Sequence, residues 1–146
     1  MLSPQPNYTP PAGSDHRQRL LNRLSQLAKL GDDWDGEGSC GPSGIIIEKA
    51  RELVDELPVA ALIAVQMPER DLYATAYGTL VLDWTLFDGR VAAAIEISNS
   101  GYSGFLFRPD QSSLTFDRIV EVSKLPVELH RLWNELNGAK SYFVEV

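Results

Sequence analysis

Thr79-Leu80-Val81-Leu82-Asp83-Trp84-Thr85-Leu86, the pair Asp88-Gly89 and the run from Val91 to Ile97 decide the fold of this chain. Leu80, Leu82, Trp84 and Leu86 recur at every second position, the period that lines one face of a strand. Asp88-Gly89 separates the two runs and supplies the left-handed angles that a tight hairpin turn needs. The pattern therefore predicts a strand, a turn and a returning strand. Asn99-Ser100-Gly101 turns the chain again, so Tyr102 to Phe107 reads as a third strand, and Tyr73 to Tyr77 offers one in front. The centre of the chain is an antiparallel meander of three to four strands.

Helical periodicity flanks it. Leu20, Leu24, Leu27 and Leu30 share one face of a first helix, capped at Ser14 or Asp15 and stopped near Gly31. Ile46, Ala50, Leu53, Val54 and Leu57 form the stripe of a second helix, with Ser43 as its N-cap and Pro58 at its end. The two read as an antiparallel pair, with Trp34 folded back onto the joint as a plug for the core. After the meander, Leu114 to Phe116 offers a short strand. Pro126 suits the first position of a last helix carrying Leu129, Leu132, Trp133 and Leu136, closed by Gly138. Tyr142 to Val146 is β-prone and reads as an edge strand. The prediction is an α+β fold: two N-terminal helices, the meander and a C-terminal helix. Residues 14–146 form a single domain, preceded by a Pro-rich arm at 1–13 that reads as extended or disordered.

The 146 residues, 44% hydrophobic and 23% charged, are the size and composition of one globular domain. A single cysteine makes no internal disulfide. Met1-Leu2-Ser3-Pro4-Gln5-Pro6 has neither the basic nor the apolar segment of a secretory signal, and no run is long enough to span a membrane, so a cytoplasmic location is expected. The net charge of −7 concentrates in residues 32–58, where eight acids face two bases. Such a surface repels phosphate backbones, so no direct nucleic-acid binding is expected; it suits a basic protein partner.

Four of those acids lie in the loop Gly31-Asp32-Asp33-Trp34-Asp35-Gly36-Glu37-Gly38-Ser39-Cys40-Gly41-Pro42-Ser43. Gly36 to Gly41 spells G-x-G-x-x-G, but a helix rather than a strand precedes it, and the acids oppose a pyrophosphate. Read as a phosphate-binding loop, it has Pro42 where the lysine belongs. Asp33, Asp35 and Glu37 alternate like the first half of a calcium loop, yet Gly44 stands where the bidentate carboxylate is required. Cys40 would need a histidine as base, and only His16 and His130 exist. No catalytic set, metal set or cofactor is therefore assigned. Asp32, Asp33, Asp35 and Glu37, with Tyr102 at the tip of a polar turn, are the expected partner-binding residues.

Trp34-Asp35-Gly36-Glu37-Gly38, Pro42-Ser43 opening a helix, Leu82-Asp83-Trp84 and Ala94-Ile95-Glu96-Ile97 follow one another in an order that resembles a loose group of small bacterial proteins. These carry a W-D-G-x-G motif between two helices, followed by a β-meander. The resemblance covers roughly residues 20–107 and implies bacterial or phage origin and the order of elements, with no activity attached. The functional expectation is a non-enzymatic interaction module, a small acidic accessory or inhibitor protein. Two alternatives stand beside it: a metal- or ligand-binding domain or enzyme built on loop 31–43, and a structural subunit of an assembly.

Overall fold

The computed structural model describes residues 13–108, 110 and 112–144. Apart from Gly13, the arm expected at 1–13 lies outside them. The chain forms α1 (Ser14–Leu27), α2 (Gly44–Glu56), α3 (Val59–Ala64) and α4 (Pro68–Asp71), then five strands and a last helix. The strands are β1 (Leu72–Ala74), β2 (Leu80–Thr85), β3 (Val91–Ser98), β4 (Gly101–Phe107) and β5 (Ser113–Ile119). A 3-10 turn at Val122–Lys124 leads into α5 (Val127–Val144). Among the described residues no helix is long and apolar enough to cross a membrane.

The α+β class is as expected, with more elements than the pattern predicts. The strands form one antiparallel sheet in the order β1-β2-β3-β4-β5. Period-two alternation gives the sheet an inner face: Leu82 pairs with Leu72 and Ile95, Leu80 with Ile97, and Trp84 with Ala93. Tyr102 and Leu106 continue that face on β4. The helices cover it. Leu20, Leu24, Ala50, Leu53 and Leu62 are buried with it in one continuous core, whose centre holds Trp84 and Trp133 with ring centroids 5.2 Å apart.

Side-chain donors fasten the helical layer to backbone carbonyls that helix ends and edges leave over. Arg17 donates to the carbonyls of Val54 and Leu57 at 3.3 and 3.2 Å, joining α1 to the end of α2. Arg23 reaches the Leu72 carbonyl on β1 at 2.9 Å. Trp84 Nε1 donates to Ala61 of α3 at 2.9 Å, and Asn137 Nδ2 of α5 to Ala60 at 2.9 Å.

One boundary is as expected and others depart. Ser43 caps α2, accepting from the Ile46 N–H at 3.3 Å. The cap of α1 is instead Gly13, in the left-handed region at φ 78°, with no side-chain bond from Ser14 or Asp15. That helix ends at Leu27, where the N–H groups of Lys29 and Leu30 tighten onto Gln26 and Leu27. Gly138 does not close α5, which continues to Val144 and takes in residues expected as an edge strand. Nothing lies within 4 Å of a Cβ built at Gly138. An exposed glycine costs a helix only about 1 kcal/mol relative to alanine, too little to end it.

Candidate functional site on the open face of the sheet

The face of the sheet opposite the helices is where the chain gathers chemistry without burying it. Two cross-strand rows define it. Tyr73 on β1 pairs with Val81, Val81 with Glu96, and Glu96 with Ser103 on β4. Beside them, Asp83 pairs with Ala94, Ala94 with Phe105, and Phe105 with Thr115 on β5. An antiparallel sheet exposed on one side ordinarily shows polar residues there. This one instead shows an apolar centre of Val81, Ala94 and Phe105 beside two carboxylates, around a concavity of about 360 Å³.

Asp83 is a residue whose chemistry the fold alters. Half-burial in the sheet pushes its carboxyl up to about 6. A hydrogen bond from the Tyr73 hydroxyl and the charge of Arg70 pull the other way, while the Asp71 carboxylate adds to the rise. The Tyr73 phenol is raised in turn, by burial first and then by the charge of Asp83. Glu96 stands in the neighbouring row, exposed, accepting from the Thr79 hydroxyl at 2.8 Å.

The β1 side of this face is held by an ion pair. Asp71 is 2% exposed and accepts from Arg70 Nε at 2.6 Å and Nη2 at 3.1 Å. It also takes the Met67 N–H at 3.1 Å, closing α4. Arg70 Nη2 continues to the Thr85 hydroxyl at 3.0 Å. A fork shared between two oxygens fixes both side chains, so α4 and β2 keep one relation to each other.

The acidic loop is occupied with its own fold. Asp33 adopts φ 58° and accepts from the Gly38 N–H at 2.7 Å. Asp35 takes the N–H groups of Glu37 and Ser39 at 2.9 and 3.3 Å and the Ser39 hydroxyl. The bond from Ser39 is the main reason its carboxyl lies below the usual range. Asp32 accepts from Gly41 at 3.3 Å. Short acids in such turns serve as backbone caps, as these three do. Glu37 is exposed on the same loop.

Trp34, expected as a core plug, lies across the loop at 36% exposure, its Nε1 donating to the Cys40 carbonyl at 3.0 Å. Its indole needs an acceptor, which the loop backbone provides. Tyr102, expected at the tip of a docking turn, is 1% exposed. Its place on the inner face of β4 sends the hydroxyl to the Lys49 carbonyl of α2 at 2.7 Å. Burial, with the charges of Glu52 and Glu56, pushes that phenol up to about 12.

Cys40 bridges to Tyr77 just before α2. His130 lines a cavity with Glu52 and Glu56 near the other end of that helix. A helix of 13 residues separates the two ends by about 20 Å, so no Cys–His pair forms. Among the described residues no three His, Cys, Asp or Glu side chains are grouped to hold a metal ion.

The sequence reading passed over Asp83, Glu96, Tyr73 and Phe105. One signal was present: aspartate is depleted in strands, and Asp83 interrupts an otherwise apolar run. Comparison with protein-family models, curated proteins and solved structures finds no match to this chain.

Proposed function

We propose that this protein is a non-enzymatic interaction module whose open sheet face docks a basic segment of a partner protein. The observation that carries the reading is the joining, on one uncovered face, of an apolar centre at Val81, Ala94 and Phe105 with the carboxylates of Asp83 and Glu96. An apolar centre bordered by charge is the anatomy of a protein–protein interface. The overall charge of −7 draws basic partners and discourages acidic ones. A lysine or arginine seated beside Asp83 offsets the cost of burying its charge, because an opposite charge favours the charged form. The carboxylates of Asp32, Asp33 and Asp35 are engaged by their own loop, which favours the sheet face over the loop as the contact. A small acidic accessory or inhibitor protein of the cytoplasm, of the bacterial kind that the W-D-G-x-G motif resembles, fits this surface.

The test is affinity capture from a lysate of the source organism with three baits: the unaltered protein, Asp83→Lys/Glu96→Lys, and Glu37→Lys. Melting curves establish that each bait is folded. The expected outcome is a stoichiometric basic partner retained by the unaltered and Glu37→Lys baits and lost from the double variant. Retention by the double variant with loss from Glu37→Lys would move the contact to the loop. No stoichiometric partner on any bait would overturn the interaction reading itself.

A further inference from the structure

The concavity on the open sheet face, about 360 Å³, lies near the lower end of the roughly 300–1,000 Å³ usual for single small ligands. It therefore has room for one side chain of a partner. Val81 and Ala94 line it together with the rings of Tyr73 and Phe105 and the carboxylates of Asp83 and Glu96. Phe105 meets the exposed Phe107 edge-on, with centroids 5.6 Å apart, so the aromatic border continues along β4. The register sets the two carboxylates diagonally across β2 and β3: Asp83 pairs with Ala94, two residues before Glu96. Such diagonal neighbours lie about 7–8 Å apart. Neither carboxylate forms an ion pair among the described residues, and the guanidinium of Arg70 is forked onto Asp71.

We propose that the group this face recognises is an arginine of the partner, its guanidinium set between the Asp83 and Glu96 carboxylates and against the aromatic border. The inference rests on the open sheet face being the docking surface, and it narrows the occupant from a basic segment to one side chain. Two properties separate arginine from lysine here. A planar fork of five N–H donors bridges two carboxylates at that spacing, where an ammonium presents a single point of charge. The guanidinium is also more weakly hydrated and stacks on aromatic faces, so it enters a site floored by Val81 and Ala94 at lower cost. Half-burial already disfavours the bare charge of Asp83, and a poorly hydrated cation is the partner that relieves it. A neutral side chain supplies no counter-charge, and an acidic one is repelled.

Three blocked pentapeptides test the assignment, acetyl-Ser-Val-X-Val-Ser-amide with arginine, lysine or the uncharged isostere citrulline at X. Titration into nitrogen-15-labelled protein reads the backbone amides of Val81, Ala94 and Glu96, with the buried Leu24 as reference. The expected result is saturable movement of the three sheet amides with the arginine peptide while Leu24 stays still. The lysine peptide should bind about fivefold more weakly, and the citrulline peptide should not saturate by roughly 10 mM. Phe105→Leu keeps an apolar border and removes the ring, so it should narrow the gap between arginine and lysine to about twofold. The peptide series on the unaltered protein decides the question even if that variant fails to fold. Equal binding of the lysine and arginine peptides would overturn the choice of arginine and leave any basic segment as the occupant. Equal binding of the citrulline peptide, or no saturable binding of the arginine peptide by roughly 10 mM, would overturn the proposal outright. In that last case the lysate capture decides separately whether the face docks a partner at all.

Discussion

Asp83 occupies a position that stability alone would not choose. Its folded value near 6 lies above the ordinary 3.8, so the folded state holds extra protons between those pH values. Stability then falls as pH rises through that interval, since the native state must surrender protons the unfolded chain has already lost. Asp83→Asn keeps the shape and an acceptor for Tyr73 while removing the charge. The substitution should stabilise the protein at pH 7.5 by about 1 kcal/mol, a figure reduced for screening at a half-buried site. The gain should vanish below about pH 4, where both forms are neutral. Denaturant melts at the two pH values measure it, and equal melts at pH 7.5 would show that Asp83 carries no burden. Residues kept at such a cost cluster at functional surfaces.

At the scale of elements, alternation from Leu80 to Leu86 and Asp88-Gly89 were enough to place the β2–β3 hairpin, and Ser43 to place the start of α2. The pieces that escaped have physical reasons. β5 is predicted only in part, at Leu114 to Phe116, because Ser113–Ile119 mixes exposed polar residues with half-buried Leu114, Phe116 and Ile119. Its register also shifts beside Tyr102 and Gly104, where Arg118 takes φ 54°. Helices as short as α3 and α4, six and four residues, leave too few turns for a repeating stripe to be detected. Gly104, unremarkable in the sequence, is a requirement of the sheet: a Cβ there would collide with the Ala94 carbonyl oxygen and press on Phe116. Gly104→Ala should cost roughly 1–3 kcal/mol, the range for overpacking a well-filled site. A chemical denaturation midpoint unchanged from the unaltered protein would contradict this account of the β3–β4 pairing.

For the whole molecule, the sheet divides the labour. Its inner face and the helices make one core, while its outer face presents Asp83 and Glu96 around Phe105. The candidate site was hard to read because it is assembled across strands: Tyr73, Asp83, Glu96 and Phe105 are far apart in the chain and become neighbours only in the final register. The acidic loop at 31–43 was legible for the opposite reason, since its acids are adjacent in sequence, and that adjacency serves the loop's own turns. Composition pointed to a basic partner but not to the face that would meet it. Carboxyl footprinting of the captured complex, by carbodiimide labelling and mass spectrometry, examines that face directly. Glu96 and Asp83 should lose reactivity relative to the free protein, while Glu37 and Asp88 keep theirs. Protection confined to the loop at 32–37, with Glu96 and Asp83 labelled as in the free protein, would contradict the assignment of the open sheet face.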